Sequence, residues 1–162
     1  MSVEIERKFL VKDERWRKMG TGIFYRQGYL STDLERTVRI RTDGTKGFIT
    51  IKGIMKNGRR DEFEYEISVE DANWMLDALC IQPLIEKTRY RIIIRDLIWE
   101  VDEFWGENEG LIIAEVELRD YHQLLTVPDW IGDEITEDLS YYNSNLVKHP
   151  YSKWKQNPPD DI

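Results

Sequence analysis

Apolar and polar side chains alternate along eight stretches of the chain, and this period of two is typical of β-strands that bury one face. Turn-forming dipeptides such as Asp43-Gly44 and Asn57-Gly58 separate the stretches, so consecutive strands are expected to pair antiparallel. Eight strands are enough to close a barrel, and the pattern therefore predicts an α+β domain that is mostly antiparallel β. The predicted strands are 3–11, 23–31, 36–42, 47–54, 61–69, 86–95, 97–105 and 111–119.

Helical periodicity is confined to short segments. A stripe of apolar residues over 72–79 follows Ser68, and Glu70 and Asp71 fall where a first helical turn favours acidic side chains. Shorter helices are predicted at 14–19, 121–125 and 143–149. We expect residues 1–155 to form a single domain and residues 156–162 to be a flexible tail.

The polar face of these strands is almost entirely ionic. In one strand, such a face is most simply explained as a wet surface whose charges pair across strands. A sheet closed on itself offers a second explanation, in which the aliphatic faces point outward and the ionic faces line a wet interior with paired or ligand-bound charges. The ionic sets are Glu4, Glu6 and Lys8; Arg39 and Arg41; Lys52; Glu62, Glu64 and Glu66; Lys87, Arg89 and Arg91; Glu100 and Asp102; and Glu115, Glu117 and Arg119.

Acidic and basic side chains segregate by strand. Two Glu-x-Glu pairs come from opposite ends of the chain: Glu4 with Glu6, and Glu115 with Glu117. Closure of the sheet would bring the two pairs side by side, and their carboxylate oxygens are ligands suited to Mg²⁺ or Mn²⁺. The basic residues would form a second wall, where arginines bind phosphate oxygens in pairs and lysines act as point charges. A concave site with these two walls suits a polyphosphate.

Composition narrows the choice of partners. The net charge of −8 provides no overall basic field, so neither nucleic acid nor an anionic membrane is expected as a partner. Cys80 is the single cysteine, which excludes an internal disulfide, and no apolar run approaches the length of a membrane span. We therefore expect a soluble, cytoplasmic protein. His122 and His149 stand far apart among polar residues, so a histidine-based metal site is not expected.

The ordered set of motifs resembles the CYTH superfamily, the triphosphate tunnel metalloenzymes. The opening "EIERKFL" matches the E-x-E-x-K start of that family, and similar segments follow in the same order over about residues 3 to 150. They are "QGYL", "TVRIR", "ITIKG", "EFEYEI", "EKTRYRI", "WEVDEF", "LIIAEVEL" and the closing "GDEITEDLSYYNSNL".

This resemblance implies an eight-stranded closed β-barrel, the triphosphate tunnel, with a few flanking helices and a C-terminal plug helix near Tyr142, Asn143 and Leu146. It implies metal ligation by Glu4, Glu6 and Glu117, with Glu115 as the partner of a second ion or of the attacking water. It implies substrate binding by Lys8, Arg39, Arg41, Lys52, Lys87 and Arg89, with Tyr29 as a further candidate for which packing is an equal alternative. Glu62, Glu64 and Asp102 match the other acidic positions of the tunnel.

The activity implied is hydrolysis of a triphosphate with one or two Mg²⁺ or Mn²⁺ ions, and inorganic tripolyphosphate is the first expectation because no nucleoside-reading pocket is evident. Lys87 or Lys52 would donate a proton to the leaving phosphate. The alternatives are a class IV-type adenylate cyclase, a thiamine triphosphatase and a non-catalytic polyphosphate-binding module; the family also allows a homodimer.

The sequence departs from the family pattern at two places near the plug. Glu137-Asp138 replaces a Gly-Asp pair, and Ser140 replaces an arginine, which removes one expected cation.

Overall fold

The computed structural model describes residues 2–156, 158 and 159. Within them, nine β-strands and two α-helices follow one another with short 3-10 helices between. The strands are β1 (Ser2–Val11), β2 (Gly22–Ser31), β3 (Arg36–Thr42), β4 (Gly47–Gly53), β5 (Arg59–Ile67), β6 (Ile85–Ile94), β7 (Leu97–Phe104), β8 (Ile112–Glu117) and β9 (Ile131–Glu134). The helices are α1 (Val69–Ala78) and α2 (Asn143–Lys148), and the 3-10 helices are Arg15–Lys18, Gly106–Asn108, Leu139–Tyr141 and Tyr151–Lys153.

The sheet closes into a ring of eight antiparallel strands. Its order is β5-β4-β3-β2-β6-β7-β8-β1, and β1 then pairs with β5. The first half of β1 pairs with β5, from Ser2 opposite Glu62 to Ile5 opposite Arg59, and the second half pairs with β8. Beyond that junction, β9 occupies the other edge of β1. The eight-stranded antiparallel tunnel that the resemblance implies, and with which the alternation agrees, is therefore confirmed.

Tight turns and close packing fix this ring. Asn57 and Gly58 both have positive φ values, 54° and 76°, and they reverse the chain between β4 and β5 as an Asn-Gly pair favours. Gly47 lies under α1, where an added Cβ would come within 2.6 Å of the Ala72 Cβ. The helix can therefore approach the sheet only because residue 47 has no side chain.

The apolar faces of the strands point outward and are covered on two sides. One cluster, around Trp16, Trp99 and Trp130, packs β1, β6, β7 and β8 against the Arg15–Lys18 helix and the segment before β9. The other places Ala72 and Leu76 of α1 on Ile40 of β3. The Ser68 side chain caps α1 by accepting a hydrogen bond from the Asp71 backbone N–H, and Glu70 and Asp71 lie in the first turn of α1, where the sequence predicted them.

A third apolar cluster closes one end of the ring. Leu146 and Val147 of α2 pack against Tyr29, Ile85 and Ile113, which are inward-facing residues near one end of their strands. The predicted helix at 143–149 is thus observed as α2, in the position expected of a plug.

Three predictions of local structure need correction. Residues 121–125 are not helical: the Asp120 carboxylate accepts from the His122 backbone N–H in a turn, and the Leu124 side chain is 94% exposed, so no apolar face supports a helix. Strand β5 begins at Arg59 rather than 61, and β9 was not predicted. The tail expected at 156–162 lies mostly outside the described residues. None of the described helices has the length and apolar character needed to cross a bilayer.

Candidate active site

The inward faces of the eight strands enclose a cavity of about 200 Å³. Because side chains alternate between the two faces of a strand, one residue in two points into it. The residues that line it are Glu4, Glu6, Lys8, Gln27, Tyr29, Thr37, Arg39, Arg41, Lys52, Arg60, Glu62, Glu64, Lys87, Arg89, Glu100, Glu115, Glu117, Tyr142, Asn143 and Ser144. Every predicted site residue except Asp102 lines this cavity, so the ionic faces point inward and the wet-surface explanation is excluded for these positions.

One wall of the cavity carries an excess of positive charge. The Nε atoms of Arg39 and Arg41 are buried and have no hydrogen-bond partner. Burial lowers the pKa of Arg41 to about 10, and the neighbouring cations Arg39 and Arg89 add to the effect. A bound anion would accept hydrogen bonds from these buried donors and would reduce the repulsion between the neighbouring cations.

Asp102 lies behind this wall and fixes its two cations on β6. Its Oδ1 accepts from Arg89 Nε at 2.7 Å and its Oδ2 from Arg89 Nη2 at 2.8 Å, while Lys87 Nζ donates to Oδ2 at 2.9 Å. Although burial opposes it, the charges of Arg89 and Lys87 lower the pKa of Asp102. Burial lowers the pKa of Lys87 to about 8 despite this partner. Asp102 therefore positions cations and does not itself face the cavity.

The opposite wall is acidic and is built from β1 and β8. Their register places Glu6 opposite Glu117 and Lys8 opposite Glu115. Burial, together with the charges of Glu4 and Glu115, raises the pKa of Glu6 to about 8. Burial, together with the charges of Glu4 and Glu62, also raises the pKa of Glu117. These carboxylates thus crowd one another, and a cation would relieve their repulsion.

The protein's own cations partly neutralise this wall. Lys52 Nζ lies 2.8 Å from Glu4 Oε2, and Arg60 Nε lies 3.2 Å from the same oxygen. The two cations outweigh the effect of burial and lower the pKa of Glu4. Within residues 2–156, 158 and 159, no three carboxylates converge closely enough to hold a metal ion as they stand. The available ligand atoms are carboxylate oxygens, and Glu6 lies close to other carboxylates that repel it. Oxygen ligands of this kind fit a hard divalent cation.

The remaining acidic positions pair with the basic wall. Lys52 Nζ is 3.4 Å from Glu62 Oε2, and Arg39 Nη2 is 3.4 Å from Glu64 Oε1, which also accepts from the Thr50 hydroxyl at 2.8 Å. Tyr29 lines the cavity and also packs in the apolar cluster at the closed end, and its role in substrate binding stays a prediction.

The plug contributes polar groups to the floor of the cavity. The Asn143 Oδ1 accepts from Lys87 Nζ and from Gln27 Nε2, each at 3.2 Å. The Tyr142 ring lies 4.4 Å from Lys8 Nζ and 5.5 Å from the Arg60 Cζ. Asp138 caps the 3-10 helix that leads into α2, so the Glu137-Asp138 departure leaves this turn intact.

Sequence reasoning missed Arg60 and Gln27 as members of the site. Arg60 continues the alternation of Glu62, Glu64 and Glu66 by one step toward the Asn57-Gly58 turn, and that signal was available had β5 been started at Arg59. Gln27 is an uncharged residue among charged ones, with its Oε1 buried and unpaired, and no sequence pattern marks it.

Comparison with known proteins finds a family model and relatives that each match most of the chain. The model of the CYTH domain matches residues 2–151. An inorganic triphosphatase of Acetivibrio thermocellus is 49% identical over 96% of this chain and 100% of its own length, and one of Nitrosomonas europaea is 36% identical over 89% and 96%. A solved crystal structure of an inorganic triphosphatase is 35% identical, with a TM-score of 0.61 over 88% of this chain and 96% of that one.

Proposed function

The chain belongs to the CYTH domain family, and on that premise we propose that it is an inorganic triphosphatase, a hydrolase that converts tripolyphosphate to pyrophosphate and phosphate. The observation that supports this most directly is the enclosed cavity, in which Arg39 and Arg41, each with a buried Nε donor that has no partner, face a carboxylate wall. Among the residues that the structure describes, the lining offers only the rings of Tyr29 and Tyr142 as aromatic surface, which favours an inorganic chain over a nucleotide.

The basic wall would bind the phosphate chain and hold it in line for attack. Arg39, Arg41 and Arg89 present forked donors to phosphate oxygens, and Lys8 and Lys52 add point charges. The tie of Arg89 and Lys87 to Asp102 keeps these donors in place before substrate arrives, which lowers the cost of ordering them. Positioning and charge stabilisation would supply most of the rate.

The acidic wall would hold the metal. Glu4, Glu6 and Glu117 are the proposed ligands of one ion and Glu115 of a second, and Mg²⁺ or Mn²⁺ bound there would neutralise charge on the phosphate oxygens.

Proton transfer would use the chain's own groups. The charges of Lys8 and Arg89 outweigh burial and keep the pKa of Glu115 below its usual value, so this carboxylate is ionised and can orient the attacking water. Lys87 or Lys52 would donate a proton to the leaving phosphate, and the lowering of the Lys87 pKa to about 8 by burial favours Lys87.

One assay tests the activity against its alternatives. The protein is supplied with tripolyphosphate, ATP or thiamine triphosphate, each with Mg²⁺ or Mn²⁺, and the products are separated. Metal-dependent release of phosphate from tripolyphosphate, at a kcat/KM well above that for the other two, is the expected result. Cyclic AMP from ATP would identify a cyclase, thiamine diphosphate a thiamine triphosphatase, and tight binding without turnover a polyphosphate-binding module. The expectations of a cytoplasmic location, of no nucleic-acid or membrane partner and of a homodimer stay predictions.

A further inference from the structure

Arg60 is a buried cation that none of the proposed catalytic steps uses. It is the second residue of β5 and lies opposite Glu4 in the pairing with β1, so its side chain points into the cavity. Only 9% of that side chain is exposed. Burying a guanidinium costs free energy unless it is paired with an opposite charge. The contacts of Arg60 therefore indicate its role.

Its contacts are with two of the proposed metal ligands. Arg60 Nε donates to Glu4 Oε2 at 3.2 Å, and its Nη2 lies 3.7 Å from Glu6 Oε1. Glu4 and Glu6 lie on the same face of β1, each 7% exposed, so their charges repel each other in a poorly solvated place. The single guanidinium reaches both carboxylates and reduces that repulsion.

The same side chain also lies beside an aromatic ring, which Lys8 Nζ approaches as well, at 4.4 Å. The Tyr142 ring lies 5.5 Å from its Cζ, within the range of a cation–π contact. Tyr142 is fixed by the plug, because it packs immediately before α2 and is only 4% exposed. Arg60 therefore stands between a carboxylate pair and an aromatic face.

We propose, building on the metal-dependent function above, that Arg60 is an internal counter-ion that exchanges with the metal. In the metal-free protein its guanidinium pairs with Glu4 and lies beside Glu6, which lets these two buried carboxyl groups fold close together. A carboxylate oxygen that accepts from a guanidinium is not free to bind a cation, and the two positive charges repel. Metal binding therefore displaces Arg60 from the carboxylates toward Tyr142. Arg60 is a positioning residue that lowers metal affinity in return for a stable metal-free fold.

The test compares Arg60→Met with Arg59→Met, which removes the same charge from the adjacent, outward-facing and exposed position of β5. Binding of Mn²⁺ alone is followed by the electron paramagnetic resonance signal of the free ion. Removing a positive charge this close to the ion is expected to lower the dissociation constant by roughly tenfold in Arg60→Met. The constant should stay at the wild-type value in Arg59→Met. Thermal unfolding without metal should begin at a lower temperature in Arg60→Met than in Arg59→Met, and saturating Mn²⁺ should close that gap.

The outcomes separate this proposal from the one it rests on. Unchanged or weaker Mn²⁺ binding in Arg60→Met, while the wild type binds Mn²⁺ and hydrolyses tripolyphosphate, overturns the counter-ion role alone. A wild type that neither binds Mn²⁺ nor hydrolyses tripolyphosphate overturns the proposed function. If Arg60→Met does not fold even with Mn²⁺, Arg60→Lys decides: it keeps the charge but has fewer donors, so an affinity above wild type supports the exchange and one at or below wild type overturns it.

Discussion

At the scale of single residues, the tunnel is a set of buried charges whose pKa values depend on one another. Glu4 and Glu6 are two residues apart and equally buried, yet the pKa of Glu4 is lowered and that of Glu6 is raised to about 8. The difference follows from their partners, because Lys52 and Arg60 both approach Glu4 more closely than Lys8 and Arg60 approach Glu6. Glu6 is therefore the position where the acidic wall most needs a further cation.

Replacing one of the proposed ligands with its amide tests that wall. Glu6→Gln and Glu117→Gln keep the shape of the side chain but remove a charged oxygen ligand, so metal-dependent turnover of tripolyphosphate should fall by roughly 100-fold or more. Steady-state kinetics at saturating Mn²⁺ measures the loss. Glu66→Gln, an exposed acid farther along β5, is the control and should match the wild type. Wild-type activity in both tunnel variants would contradict the metal assignment.

The pH dependence of substrate binding should report on Lys87. Burial lowers the pKa of Lys87 to about 8, so its positive charge is present below that pH and is lost as the pH rises through it. If Lys87 binds phosphate, KM for tripolyphosphate should increase as the pH rises above about 8. Lys87→Arg carries a charge that does not titrate in this range, so its KM should lack the inflection. The same inflection in both proteins would assign it to another group.

Residue identities in the site could be predicted to the extent that charge and alternation mark them. Glu4, Lys8 and Arg41 stand out because a charged residue at every second position is unusual in a strand. Arg60 was missed because its strand was started two residues too late, and parity puts Asp102 on the inward face without showing that Lys87 and Arg89 cover it. The alternation of positions along a strand shows which face of the sheet a side chain is on. Whether that side chain reaches the cavity depends on which neighbouring cations cover it.

At the scale of elements, the alternation placed the first eight strands to within two residues of their observed ends. It succeeds because most strands have an apolar outer face, part of which the apolar clusters cover, and an ionic inner face. β9 has four residues and contains Gly132, which is too short a stretch for a period of two to be recognised. Its pairing depends on β1 offering an unpaired edge beyond Ile5, which is a property of the closed sheet.

The plug helix α2 is too short to be stable alone, so its packing should determine whether the tunnel end closes. Leu146 is fully buried in the cluster at that end, and Leu146→Ala should lower the free energy of unfolding by about 2–5 kcal/mol. Because Asn143 of the same helix accepts from Lys87, KM for tripolyphosphate should also increase. Urea unfolding and steady-state kinetics measure the two effects. Leu124→Ala, at a side chain that is 94% exposed, should change neither.

At the scale of the whole molecule, a protein of net charge −8 binds a polyanion only if its charges are sorted in space. The closed ring does this by turning one face of every strand inward, so that the basic wall would lie within a few ångströms of a polyanion bound in the cavity. Surface carboxylates farther away than the Debye length of about 8 Å are screened at physiological salt. The local field of the tunnel, and not the net charge, then decides which ligand binds.

The domain predicted to end near residue 155 can be tested by two truncations that differ by three residues. Trp154 packs its ring 5.0 Å from Tyr141 and 5.1 Å from Tyr151, and its Nε1 donates to the His149 carbonyl, so it joins the C-terminal segment to the plug. A chain ending at Gln156 keeps these contacts and should retain the wild-type melting temperature and activity. A chain ending at Lys153 loses them, at a cost of about 2 to 3 kcal/mol. For a domain of this size, that loss should lower the melting temperature by roughly 5–10 °C, as calorimetry would show. If the chain ending at Gln156 is as unstable as the shorter one, the tail belongs to the folded domain, and the boundary is wrong.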